Sequence, residues 1–172
     1  MLPVRLKIRY GSWHNDKDKH VSVSLTVCSL DFSMAQSFRF FHPLRVRWSE
    51  VDPYRVVFNG HYLTYFDVGI TEYFRHLGLR LSDTATMGGE FYVRKATLDY
   101  LAPAFFDEEL RIGVCIGRIG TSSVQFLLGI YRADQLLVSG EIIYVNTDPV
   151  TRQPAPVSEV LRERVGAFER RD

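Results

Sequence analysis

The chain has 172 residues, 46% of them hydrophobic and 13% aromatic, with 21 Lys and Arg against 20 Asp and Glu. That length reads as one domain burying roughly 70% of its unfolded surface, and a net charge of +1 excludes the basic balance of a nucleic-acid-binding domain. Cys28 and Cys115 form no CxxC pair and no Cys/His metal spacing, which points to a reducing compartment and so to the cytoplasm. No run approaches the ~18 apolar residues of a membrane span, and the N-terminus has no apolar core of a secretory signal.

Residues 1–33 do not match the rest. Two short alternating runs, 4–10 and 21–27, flank a spacer rich in Asp, Lys and His. They could pair as a hairpin, but an isolated two-stranded hairpin is marginal in water. The expectation is that Met34 begins the domain, and that residues 1–33 are a disordered tail or a mis-assigned start. Residues 34–172 then form the domain proper.

Residues 38–48 are rich in aromatic and β-branched side chains and predict a strand, with Pro43 marking an edge or irregular position. An Asp52-Pro53 turn follows. Residues 59–77 predict a helix, with Tyr62, Leu63, Phe66, Ile70, Tyr73, Phe74 and Leu77 three or four apart. Gly78 is placed to cap it, and Gly69 offers a close-packing spot for a crossing strand. Period-two alternation predicts four strands at 90–101, 110–119, 122–132 and 136–146, joined by short antiparallel connections. Gly113, Gly117, Gly129 and Gly140 would let that sheet curve. A short helix over 157–170 ends the chain, its apolar stripe built from Val157, Val160, Leu161, Val165 and Phe168. One long apolar helix against five antiparallel strands is an α+β arrangement in which the sheet curls around the helix.

The polar residues between first strand and helix carry the chemistry. Asp followed by Pro makes a good type I turn on its own account. Asp52, however, lies seven residues before Asn59, near the start of a buried helix whose first amides are unpaired donors with partial positive charge. A carboxylate beside free amides and apolar surface is what acyl transfer needs: one group to activate a nucleophile, and donors for a developing oxyanion. Glu50, two residues earlier, would face the same way in an extended run, where two close carboxylates raise one pKa. The plainer reading is an exposed strand-end charge. His61 is either a functional group or a polar residue of the first helical turn.

The run R-V-R-W-S-E-V-D-P-Y-R-V-V-F-N-G-H-Y-L-T-Y-F-D resembles the 4-hydroxybenzoyl-CoA thioesterase family, as does F-Y-V-R-K-A-T-L-D-Y-L-A-P-A-F-F-D-E-E-L further on. Both are closest to its Tol-Pal-associated acyl-CoA thioesterase branch. The resemblance covers about residues 38–163, with the motifs in order and at matching gaps; residues 1–33 have no counterpart in it. It implies the hotdog fold, in which a long helix is wrapped by a curved antiparallel sheet, and hydrolysis of an acyl-CoA thioester. It implies Asp52 as the catalytic carboxylate, acting as general base or as nucleophile, and the backbone N–H of Asn59 as the donor that polarises the thioester carbonyl. Many relatives have His where this chain has Asn59, so a side-chain role for Asn59 or His61 does not carry over. Arg94, Lys95, Arg118, Thr121 and Ser122 are candidates for the coenzyme A phosphates, and Tyr62, Phe66 and Tyr92 for the acyl chain. A homodimer joined edge to edge is implied, and a dimer of dimers is compatible with it. The reaction calls for no metal and no cofactor, since coenzyme A arrives as part of the substrate.

Two rival readings use the same residues. A dehydratase on this fold needs a paired His and acid; His42-Pro43 is present without the rest of that pattern. A non-catalytic module that binds acyl thioesters or a protein would keep the fold and lose the chemistry, against which Asp52 stands.

Overall fold

The computed structural model describes residues 38–169 and, as backbone, Lys7–Tyr10. In chain order the elements are β1 (Lys7–Tyr10), β2 (Phe40–Arg45), a 3-10 turn (Trp48–Glu50), α1 (Asn59–His76), α2 (Thr84–Met87), β3 (Glu90–Tyr100), β4 (Glu109–Ile119), β5 (Ser123–Arg132), β6 (Gln135–Thr147) and α3 (Glu159–Glu169). Strands β2 to β6 form an antiparallel sheet in the order β3-β6-β5-β4-β2. That is the five-stranded α+β arrangement read from the sequence. β1 adds a sixth strand, parallel to β3 on its outer edge. The second run of the supposed hairpin, 21–27, lies outside the described residues.

α1 fills the concave face of the sheet. Its buried side is Tyr62, Tyr65, Phe66, Gly69, Ile70, Tyr73 and Phe74, a three-and-four spacing that runs on to buried Leu77. Leu63, expected in the stripe, falls off it and is 39% exposed; Tyr65 takes the place instead. Each buried ring contributes about 2–3 kcal/mol of hydrophobic stabilisation. The helix ends as its Gly78 promised: φ is +72°, Gly78 N–H donates to Arg75 O, and Leu79 N–H donates to Phe74 O. This is a Schellman cap, and the left-handed turn suits glycine.

Glycines on the helix and on the sheet let side chains and backbone approach closely. A Cβ on Gly69 would sit 2.6 Å from Ile112 Cγ2, so the helix rests directly on β4. Gly140 receives the ring of Phe66 in the same way. On the outer face, Phe38 lies over Gly113 and meets Phe41 and Tyr131 edge to face.

The far end of the sheet is tied by one side chain. Asn146, fully buried, donates through Nδ2 to the carbonyls of Gly88, Ala155 and Pro156 at 2.9, 3.2 and 2.9 Å. It joins the end of α2 to the segment leading into α3. Ser158 Oγ accepts from Leu161 N–H as the cap of α3. At the other end of α3, the Glu169 carboxylate accepts from the Tyr73 hydroxyl at 2.6 Å and the Ile116 amide at 3.4 Å.

Candidate active site

The site grows from the link between β2 and α1. Asp52 starts a β-turn: Arg55 N–H donates to Asp52 O at 2.9 Å, and Arg55 takes a left-handed φ of 64°. Tyr54 N–H donates to Asp52 Oδ1 at 2.8 Å, which fixes the carboxylate against its own turn. Asp52 N–H donates to Val56 O, and Val51 bridges Val57, so residues 51–57 fold back as a small ribbon. Val57 N–H donates to Ala104 O and Phe58 N–H to Glu50 O, anchoring the ribbon to the β3–β4 connection and to the 3-10 turn. The Asp52 side chain stays partly open to solvent.

The ribbon delivers the chain into α1 with Phe58 as the capping residue. His61 N–H donates to Phe58 O. The two amides before it, Asn59 and Gly60, have no acceptor among the described residues. These are the orphan donors of a helix start, at the positive end of the helix dipole. Asn59 O accepts from the Tyr100 hydroxyl at 3.1 Å, so β3 holds the helix start in place. The His61 ring lies against Phe58 at 6.0 Å.

Glu50 fits neither reading, the exposed strand-end charge nor the pairing with Asp52. Residues 48–50 form a 3-10 turn, so alternation does not apply, and Glu50 folds inward with its side chain 13% exposed. Its Oε2 accepts from the Tyr65 hydroxyl at 2.7 Å and from the Arg47 amide at 2.7 Å. Burial, and after it the Glu50 carboxylate, holds the Tyr65 phenol far above its ordinary range. Glu50 therefore braces the 3-10 turn against α1. Tyr65 and Tyr100 carry the support, and sequence reasoning missed both; their only signal was a tyrosine inside the predicted helix and another inside a predicted strand.

The other candidates are dispersed. Tyr62 is buried, meets Tyr65 and Tyr100 edge to face, and accepts from Ala104 N–H at 3.0 Å; burial raises its phenol pKa, the Ala104 bond opposing. Phe66 is 0% exposed beneath β6. Tyr92 is exposed, donates to Glu90 Oε2 at 2.6 Å and lies under the Arg152 guanidinium. Arg94 is the extra residue of a bulge in β3, and Lys95 pairs with Glu141 at 2.8 Å. Arg118 is exposed near the end of β4. In the turn beyond it, Thr121 O accepts from Val157 N–H and Ser122 O from Asn146 N–H. That turn is at the opposite end of the sheet from Asn59. An eleven-residue strand such as β4 separates them by roughly 30 Å. A groove of about 510 Å³ lies along the free side of β2, lined by His42, Leu44, Arg45, Arg47, Val68 and Phe106; Trp48 meets Phe106 edge to face. Among the described residues, no group of three His, Cys, Asp or Glu is placed to hold a metal ion, and no helix is long and apolar enough to cross a membrane.

A curved antiparallel sheet around one buried helix defines a hotdog-type scaffold, and the chain belongs to the thioesterase-like superfamily, whose family model matches residues 46–165. It is 32% identical over 118 residues to the acyl-CoA thioester hydrolase YbgC of Escherichia coli O6:H1, covering 67% of this chain and 87% of that protein. A thioesterase from Thermus thermophilus, solved in complex with coenzyme A and Zn, superposes with a TM-score of 0.68 at 28% identity, over 80% of this chain and 98% of its own. Slr0204 of Synechocystis, a 1,4-dihydroxy-2-naphthoyl-CoA thioesterase, shares the fold with a TM-score of 0.70 at 18% identity, over 77% and 98%.

Proposed function

We infer that the chain is an acyl-CoA thioesterase, a hydrolase that cleaves an acyl-CoA to a free carboxylic acid and coenzyme A. The observation that carries the assignment is the Asp52 carboxylate, held by its own turn just ahead of the two unpaired amides of Asn59 and Gly60. In the reaction the thioester carbonyl accepts from the Asn59 N–H, which stabilises the charge that develops on oxygen. Asp52, as general base to a water or as the nucleophile itself, drives attack on the carbonyl carbon; the C–S bond breaks and the thiolate of coenzyme A leaves, and water supplies the new oxygen of the acid and the proton of the thiol. The residues need no redox group or metal for this, and the setting is cytoplasmic.

The working unit is a homodimer, with a dimer of dimers compatible with the same contact. The support is geometric. Arg118 stands at the far end of its own sheet from Asp52, and Arg94 and Lys95 lie half-way along β3. β3 lies at the edge of the five-stranded antiparallel sheet, and residues 90–96 of its outer side pair with nothing among the described residues. Antiparallel addition of a second copy there brings the second copy's Tyr92, with Arg94 behind it, toward the first copy's Tyr100 and Asn59. A positive, partly aromatic rim then faces the anionic substrate.

The test is thiol release from short, long and aromatic acyl-CoAs, by the wild type and Asp52→Asn side by side. Turnover of one class by the wild type, absent in the variant, is the expected result. Equal turnover by both removes Asp52 from the mechanism, and binding of coenzyme A esters without thiol release by either makes the scaffold a non-catalytic binding module.

A further inference from the structure

The outer edge of β3 faces two claims. Its other side pairs with β6 along the whole strand, from Glu90 to Tyr100. On the outer side β1 runs parallel, with Lys7 opposite Thr97 and Tyr10 opposite Tyr100. A symmetric antiparallel contact between two full-length β3 edges is centred on Lys95. It sets Thr97 to Tyr100 of one copy opposite Val93 to Glu90 of the other. A strand edge carries one row of N–H and C=O groups, so these four residues cannot pair with β1 and with a second copy together.

We propose that β1 is an intramolecular competitor for the dimer edge, so that self-association of the chain is set by whether the N-terminal strand is docked on β3. The inference rests on the edge-to-edge dimer proposed above. The balance is reasonable on physical grounds. β1 offers four parallel residue pairs, a slightly weaker ladder than an antiparallel one. Being tethered, it acts at an effective concentration on the order of millimolar. A second copy offers up to eleven antiparallel pairs but must be supplied by concentration. The competition also reaches the site, because Tyr100, the last residue β1 covers, is the one that holds the carbonyl of Asn59.

The test compares the full wild-type chain with the full chain carrying Ile8→Pro and Arg9→Pro together. Neighbouring residues in a strand direct their backbone groups to opposite edges, so one of the two prolines removes a bond to β3 whichever way β1 faces. Sedimentation across a concentration series reads the dimer dissociation constant. The expected result is dimerisation at least about tenfold tighter in the variant, the tethered competitor being gone. Amide exchange on the same samples shows that the fold is intact: residues 97–100 lose protection in dilute variant and regain it on concentration, while β5 and β6 stay protected in both. An unchanged or weaker dimer in the variant overturns the proposal and leaves the dimer itself standing. No association of either protein at any concentration overturns the dimer reading, and the proposal with it.

Discussion

The sharpest question the site allows is whether the chemistry uses the backbone of Asn59 or its side chain. Proline at Asn59 separates them. Asn59 is the first helical residue, after Phe58 with φ −58° and ψ 133°, the extended conformation that a residue before proline prefers. Proline is well tolerated at the first position of a helix, where its missing N–H would be unpaired in any case. The carbonyl that accepts from Tyr100 is untouched. Asn59→Pro should therefore cost less than about 1 kcal/mol of stability while deleting the one donor assigned to the thioester oxygen. Loss of one such donor is worth about 2.7–4 kcal/mol in the transition state, or 10²–10³ in kcat. Asn59→Ala keeps the amide and should stay within about threefold, well under the ~1.4 kcal/mol that a tenfold loss represents. Steady-state thiol release with thermal unfolding on the same preparations reads both quantities. Wild-type kcat in the proline variant would refute the amide role; an equal loss in the alanine variant would move the role to the side chain.

Other consequences can be checked on the same footing. Asn146→Ala removes the buried donor that holds three carbonyls and should cost about 2–4 kcal/mol, visible as a fall in Tm of about 4–16 °C for a chain of this size; a change under about 2 °C would show that water replaces the amide without loss. Tyr65→Phe deletes the hydroxyl bond to the Glu50 carboxylate and should cost about 1.5–3 kcal/mol by denaturant titration, with thiol release falling if Glu50 braces the turn. Gly69→Val drives side-chain atoms into Ile112 and Val114 and should cost about 1–3 kcal/mol or more from overpacking; near-neutral stability would mean that α1 can lift off β4. Acid stability follows from Glu72, Asp83 and Asp148. Arg75 holds the first below the usual carboxylate range, Thr86 the second and the Thr151 amide the third. For each, the folded form binds its proton less readily than the unfolded chain. Their contribution is complete above the ordinary carboxylate pKa and is lost as pH falls through the lowered values; a Tm that rises on acidification below about pH 4 would contradict it.

The elements that were legible in the sequence are those where one periodicity rules. α1 and the four strands from β3 to β6 each carry it cleanly, because a helix against one sheet face and a strand between core and solvent bury residues at fixed intervals. Gly69 was readable for the same reason: a glycine inside an apolar stripe marks a close approach. The failures lie where the period changes within a few residues. Glu50 looked like a strand residue beside Asp52, and a single 3-10 turn rotated it inward to Tyr65. α2, four residues capped by Asp83, is too short to show any period. Phe38 lying over Gly113, and Tyr100 reaching Asn59 across 41 positions, depend on which strands neighbour one another. No local pattern encodes that.

Asp52 has two occupations in the structure, and the choice of variant decides which one an experiment reports. Its Oδ1 holds the Tyr54 amide and so shapes the turn; the carboxylate charge is what the chemistry uses. Asparagine keeps an oxygen able to accept from Tyr54 and removes only the charge. Asp52→Asn should leave stability within about 0.5 kcal/mol while lowering kcat by about 10²–10⁴, the range for loss of a positioned base. Alanine removes both, so Asp52→Ala should add a stability loss of about 0.5–1.5 kcal/mol for the turn bond. Full activity in Asp52→Asn with a destabilised Asp52→Ala would leave Asp52 as a turn residue only. The two losses falling on different variants would instead show one aspartate serving fold and reaction with separate properties, its oxygen and its charge.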